Sequence, residues 1–338
     1  MNATERLNAR LAMQPVDRPP NLNIMMTFAA RHIGRTLHDY HLDHRVLVDA
    51  NLAMVEDFGI DIVQAISDPY REAVDFGLEV DFPADDLPVS GPPLLQHLED
   101  LKRLPQPDPC TSPRMSDRLA AVRELRRQVG NAVPVMGWVE GALAEASDLR
   151  GMSPLLLDLY DNTGWVEELL ERTAETSLAF ARSQIEAGAT MIGLGDAVGS
   201  QVSPRAYRRF ALPYEKRVFD LCHEMGALAR LHICGNTSGI LADMVASGAD
   251  IIDIDWMVDV DACAEAFGEG PAFSGNFDPV AILKEGSPEQ VYQAALDCLQ
   301  RGGPKSISNA GCEVPIGTPH ANLDAQSRAI RDYAEQAQ

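Results

Sequence analysis

Apolar residues along this chain gather into short runs, each followed by a turn and then a longer stretch with helical spacing. Eight runs read as strands: 21–28, 61–67, 134–140, 190–197, 228–234, 250–256, 272–278 and 306–312. Several follow a glycine suited to ending a helix, at Gly188, Gly226, Gly248 and the pair Gly302-Gly303. Helices are predicted between them, among others over 116–130, 165–187, 204–225, 237–247 and 288–301. Ser203-Pro204 and Ser287-Pro288 each pair an N-cap residue with a proline in the first turn. Strands alternating with helices predict parallel βαβ units. Eight such strands predict an α/β fold, a closed (β/α)8 TIM barrel with an N-terminal helical extension. An open doubly wound sheet is the alternative, but it calls for a glycine-rich phosphate turn, and no GxGxxG follows a strand here. The stretch 82–113 is rich in Pro and Asp and is expected to form a long loop over the barrel mouth. Nothing marks a second domain, so 1–338 reads as one barrel domain.

Charge narrows the function classes. Against 28 Lys and Arg stand 50 Asp and Glu, a formal net charge of −22. Surfaces for nucleic acid or anionic lipid need clustered cations, so neither partner is expected. No run of about 18 apolar residues could span a membrane. The start, Met1-Asn2-Ala3-Thr4-Glu5-Arg6, lacks the apolar core of a signal peptide, so a cytoplasmic protein is expected. In that reducing setting the six cysteines are not a disulfide framework, and any that cluster point to metal or catalysis.

Two of them do cluster. In Leu231-His232-Ile233-Cys234-Gly235-Asn236, His232 and Cys234 are two apart on a predicted strand, so both side chains leave the same face. They sit at the strand's C-terminal end, where barrel enzymes place their chemistry. Asn309-Ala310-Gly311-Cys312-Glu313 ends the last predicted strand at that same end. One His and two Cys form a soft donor set suited to Zn2+, and three protein ligands with a position left open are the pattern of catalytic zinc. Zn2+ with two thiolates and a neutral imidazole is formally neutral. Such a centre lowers an incoming thiol's pKa from about 8.5 while keeping its sulfur electron-rich. That suits alkylation of sulfur better than hydrolysis. The competing reading is that the cysteines are small buried apolar residues and the histidine is structural.

Other candidates follow from strand ends. Glu140 ends the third predicted strand and Asp196 lies near the end of the fourth, so either carboxylate is a candidate fourth ligand; capping of the next helix is the competing reading for Glu140. Asp253 and Asp255 alternate with Ile252 and Ile254, so at least one carboxylate enters the mouth, and Asp255 is taken as the substrate-binding candidate. Asn276 ends the seventh strand within reach of substrate, with Gly275 beside it allowing close approach. His32, His38, His41 and His44 lie among Arg and Asp and read as a solvated helix face. Cys222-His223 reads as packing.

Several stretches resemble the uroporphyrinogen decarboxylase superfamily. They are His232-Ile233-Cys234-Gly235, the segment from Gly248-Ala249-Asp250 to Asp255-Trp256, Ser274-Gly275-Asn276-Phe277-Asp278-Pro279, Gly137-Trp138-Val139-Glu140-Gly141 with Leu149-Arg150-Gly151, and Asp68 followed by Glu72-Ala73 and Phe76-Gly77. The resemblance covers nearly the whole chain and implies a (β/α)8 barrel. The decarboxylases of that superfamily carry an arginine-rich N-terminal signature, of which only Arg31 and Arg35 stand here. They also have a His where this chain has Cys312. The corrinoid-dependent methyltransferases, such as the methylcobamide:coenzyme M enzymes, carry His-x-Cys and a distant Cys as zinc ligands. His232, Cys234 and Cys312 match that pattern. The resemblance therefore implies methyl transfer from a methylated corrinoid on a partner protein to a zinc-bound thiol such as coenzyme M, with a folate acceptor as a variant. It makes Asp68 a substrate-binding candidate, weighed against a turn-capping role beside Pro69. A decarboxylase and a non-catalytic tetrapyrrole-binding protein are the alternatives.

Overall fold

The computed structural model describes residues 1–336. Seven parallel strands form one curled sheet: β1 (Val63–Gln64), β2 (Val135–Glu140), β3 (Met191–Gly195), β4 (Leu228–His232), β5 (Ile251–Ile254), β6 (Ala272–Phe277) and β7 (Ile307–Ala310). They pair in sequence order from β1 to β7. Nearly all their residues are buried, as expected for strands covered by helices outside and side chains inside. Each lies within a predicted strand, and the fold is the expected TIM-barrel-like α/β architecture.

The first predicted strand, 21–28, closes the barrel without forming a regular ladder. Asn21 bridges Ser308 of β7 in parallel, and its carbonyl accepts from the Asp61 N–H at 2.9 Å just before β1. Pro19 and Pro20 supply no N–H to extend the pairing. The Leu22 N–H donates to the Ser308 carbonyl and the Val314 N–H to that of Ile24, while between them a side chain substitutes for the backbone: the Ala310 N–H donates to Asn23 Oδ1 at 3.0 Å. Residues 27 and 28 already belong to the helix Thr27–His32.

Two helices differ from the expected spans. The stretch 204–225 is broken at Ala211 into Pro204–Phe210 and Leu212–Glu224. Pro213 explains the break, since it has no N–H and its ring crowds the preceding turn. Over 237–247 only Leu241–Ala246 is α-helical; the Ser238 N–H is drawn instead to Asn236 Oδ1 at 3.1 Å. Ser203 and Ser287 do cap their helices through their side chains. The N-terminal helix Ala3–Leu11 packs under the barrel, where Arg6 pairs with Asp61 at 2.7 Å and Arg10 donates to the Ser306 carbonyl.

The long loop 82–113 starts at the rim, where Leu37 N donates to the Ala84 carbonyl and Arg31 pairs with Asp85. From Leu98 to Gln106 it follows the outer face of the helix Thr163–Ala187, receiving bonds from Trp165 Nε1 to the Leu98 carbonyl and from Arg172 to that of Leu104. None of the residues lining the central cavity comes from this loop.

Inside the barrel, below the mouth, lies a polar layer. Arg230 is fully buried; it pairs with Asp253 and donates to the Leu22 carbonyl at 3.0 Å. Asn309 donates to Asp253 and to Ser274. This layer fixes the floor on which the candidate ligands stand.

Candidate metal centre

Alternation along β4 sends Arg230 and His232 to the barrel interior, two residues apart, with Cys234 just past the strand end. Cys312 follows β7 by two residues. Curvature of the sheet brings these elements together. His232 Nε2 lies 3.1 Å from Cys234 Sγ and 3.8 Å from Cys312 Sγ, and the sulfurs are 3.6 Å apart. Tetrahedral zinc with bonds of about 2.3 Å to sulfur and about 2.0 Å to nitrogen separates its ligands by roughly 3.8 Å (S–S) and 3.6 Å (N–S). The three donor atoms therefore fit one such ion within a few tenths of an ångström. Among the described residues this is the one group of three or more His, Cys, Asp or Glu that converges in this way.

The other face of the imidazole is held. His232 Nδ1 lies 3.1 Å from Asp253 Oδ2, and Asp253 is gripped by Arg230 Nε at 2.9 and 3.0 Å. Burial favours a neutral Asp253, but Arg230 and His232 bring its pKa down to about 2, so it stays a carboxylate. A carboxylate only accepts, so Nδ1 carries the proton and Nε2 is left free to ligate. The register explains the contact: His232 and Asp253 are partners across β4 and β5. Between the sulfurs, the hydrogen bond from Cys234 holds the Cys312 thiol well below its ordinary range, and the same bond pushes Cys234 up.

A cavity of about 170 Å³ opens beside the triad, lined by Asp68, Trp138, Glu140, Gly195 and Glu313 in addition to the three donors, with apolar residues filling the rest. Its wall is a bare backbone. Trp138 lies across β3, where a Cβ on Gly193 would stand 2.3 Å from the indole and one on Gly195 3.0 Å away. Glu140, Gly195 and His232 occupy one row across β2, β3 and β4, and the missing side chain at Gly195 makes room for the Trp138 ring and for Glu140 Oε2, which a Cβ there would meet at 3.0 and 3.2 Å.

Each predicted residue has a definite place. Glu140 lines the cavity; its Oε1 accepts from Arg71 at 2.7 Å and from Trp138 Nε1 at 3.1 Å, and it does not cap the next helix. Burial raises its pKa to about 7 although Arg71 opposes this. Asp68 also lines the cavity. It accepts from the Tyr70 N–H, as a turn cap does, and pairs with Arg114. Burial pushes its carboxyl up, and Arg114 and Arg71 more than reverse that. Asp255 faces the ligand loops, accepting from the Gly235 N–H at 2.6 Å and the Trp256 N–H at 2.7 Å. It braces the backbone beside Cys234. Asp196 and Asn276 are not brought into the cavity. Asp196 accepts from the Ala144 N–H, and Asn276 spends its amide on the carbonyls of Asp255 and Val258.

Sequence reasoning passed over Trp138 as a wall, Glu313 beside Cys312, and the arginines that hold the carboxyls. Glu313 lines the cavity and accepts from the Thr27 N–H and hydroxyl at 2.6 and 2.5 Å. Its adjacency to Cys312 was the available signal; Arg114, 46 residues from Asp68, offered none.

The uroporphyrinogen decarboxylase (URO-D) family model matches residues 2–333. The chain belongs to this family. Among its family relatives, the methylcobamide:CoM methyltransferase MtbA of Methanosarcina mazei is 31% identical, with 97% of each chain covered. The uroporphyrinogen decarboxylase of Synechocystis sp. is 28% identical over 91% of each. A solved structure of a methyltransferase from Methanosarcina mazei superposes with a TM-score of 0.89 at 25% identity, covering 98% of both chains. Identities of 31% and 28% do not separate the two chemistries of the family, so the donor set has to. No helix is long and apolar enough to cross a membrane among the described residues.

Proposed function

We propose that this protein is a zinc-dependent methyltransferase that moves a methyl group from a methylated corrinoid, carried by a partner protein, to a small thiol. The observation that carries this reading is the convergence of His232, Cys234 and Cys312, an imidazole and two sulfurs, at tetrahedral spacing on the mouth of the barrel. The names of the similar methyltransferases, methylcobamide:CoM methyltransferases among them, point the same way.

A zinc ion held by these three residues would present the acceptor sulfur as a thiolate at neutral pH. The rest falls to the chain. Asp253 keeps the His232 ring in the ligating tautomer. Asp255 fixes the loop that carries Cys234. Trp138 and the apolar lining keep water from the acceptor sulfur, which strengthens it as a nucleophile. Glu140, whose Oε2 makes no hydrogen bond and which lines the same cavity, is the candidate to approach the metal before thiol arrives and to give way to it. The cavity of about 170 Å³ holds a small acceptor only. A corrin ring is far larger and must lie across the mouth, its methyl facing inward. The sulfur forms the new bond to carbon, and the electron pair of the broken cobalt–carbon bond stays with the corrinoid.

Metal analysis paired with a methylcobalamin-plus-thiol assay tests this, comparing wild type with Cys312→Ala. The expected results are one zinc per chain, and loss of both metal and methyl transfer in the variant with an unchanged far-ultraviolet circular dichroism spectrum. Fold retention is expected because Cys312 lies past the end of β7, is only half buried, and makes its side-chain hydrogen bonds to the other two donors. The competing reading is a metal-independent decarboxylase, as some relatives are named. A metal-free preparation that decarboxylates at full rate would establish it and end the methyl-transfer proposal.

A further inference from the structure

The charge of the cavity selects among thiols. Of its lining residues three are acidic, Asp68, Glu140 and Glu313, and among the described residues no Lys or Arg lines it. The guanidiniums behind the wall are committed: Arg71 is fully buried on Glu140 and Glu72, and Arg114 is buried on Asp68. A metal centre with two thiolates is formally neutral and becomes negative once an acceptor thiolate joins it. A second negative group at the acceptor's far end would then face carboxyl groups and no cation.

A positive group meets the opposite situation. Glu140 Oε1 is occupied by Arg71 and Trp138, while Oε2 makes no hydrogen bond and lies beside Gly195, where both residues line the cavity. Glu313 uses Oε1 alone, toward Thr27. Glu140 sits two strand spacings from His232 in the same row, roughly 9.6 Å between Cα atoms, with Gly195 between them. Glu140 and the three donors line one cavity of about 170 Å³, which admits a small acceptor.

We infer that the acceptor is a small amino thiol, its sulfur at the triad and its ammonium on the Glu140 carboxylate, and not a thiol ending in a sulfonate. This rests on the thiol-methylation reading above and names the acceptor class for that site.

The test uses zinc-loaded enzyme with methylcobalamin as donor and three acceptors: cysteamine, 2-mercaptoethanol and coenzyme M. Binding of each thiol without donor is followed by calorimetry. With opposite-sign rather than like-sign charge beside a low-dielectric wall, cysteamine should exceed coenzyme M by about tenfold or more in kcat/KM and in affinity, with neutral 2-mercaptoethanol between. Glu140→Gln should shrink the ratio of cysteamine to 2-mercaptoethanol, which a purely structural role for Glu140 would not move. Coenzyme M equal to or better than cysteamine overturns the inference and leaves thiol methylation standing. If no thiol is methylated, the methyl-transfer reading fails, and the calorimetric ranking still decides the inference on its own.

Discussion

Asp253→Asn is the sharpest perturbation of the proposed metal centre, because it changes one charge and almost no volume. In the wild type Oδ2 receives both His232 Nδ1 and Arg230 Nε, while Oδ1 receives Arg230 Nε and Asn309 Nδ2. All four contacts need an acceptor. An amide supplies one acceptor and one donor, so its NH2 group must face either His232 or Asn309. Facing His232, it demands an unprotonated Nδ1, which moves the proton to Nε2 and removes the ligand. Facing Asn309, it leaves His232 bonded but with a neutral acceptor that orients it less strongly. Loss of such a carboxylate partner lowers metal affinity by about 10- to 100-fold, roughly 1.4–2.7 kcal/mol. Folding stability also falls, since Arg230 is fully buried and loses its counter-charge. Because the amide still accepts one bond, that cost is about 1–3 kcal/mol, below what removing the partner outright would exact. The assay is a zinc competition titration against a chromophoric chelator, on protein whose thermal unfolding is still cooperative. A folded Asp253→Asn protein that binds zinc as tightly as wild type would refute the orienting role of Asp253.

Two further variants probe the cavity wall and the charge buried beside it. Gly193→Ala places a Cβ 2.3 Å from the Trp138 ring, which must shift by roughly 1 Å to reach a contact distance of about 3.5 Å. Overpacking of this kind costs about 1–3 kcal/mol, and the bond from Trp138 Nε1 to Glu140 is lost; the expected result is a Tm lower by a few degrees and slower methyl transfer with zinc content unchanged, while a wild-type rate would show that the indole position is irrelevant. Glu215 is buried, accepts from the Tyr207 hydroxyl at 2.6 Å, and burial raises its pKa from 4.5 to about 8. The folded state therefore holds a proton that the unfolded state has released between those values, so this group makes stability decline as pH rises from about 5 to 8. Glu215→Gln should flatten the fall in Tm of metal-free protein over that range, on top of a pH-independent offset, and identical slopes for the two proteins would sink the assignment.

How much of this was legible in the sequence depends on what each feature needs. Seven strands were visible because burial on both faces writes a continuous apolar run, and the donors were visible because His232 and Cys234 share a face by local alternation alone. The closing segment was visible as an apolar run but not as an irregular one, since one step of its pairing, to the Ala310 N–H, is made by the Asn23 side chain in place of backbone. The supporting residues depend on register, which the pattern does not contain. Asp253 and Asp255 look alike along the chain, both acidic and both alternating with isoleucine. Only the pairing of β4 with β5 sets Asp253 beside His232 and leaves Asp255 to brace Gly235. A slip of one residue would exchange the faces of the two strands. It would set an isoleucine against the imidazole, and the donor set would lose the group that fixes its tautomer. The candidate ligands can therefore be read from β4 and the end of β7 separately, but their competence to hold a metal is a property of three strands in register: β4 supplies the imidazole, β5 the carboxylate that turns it, and β7 the second sulfur.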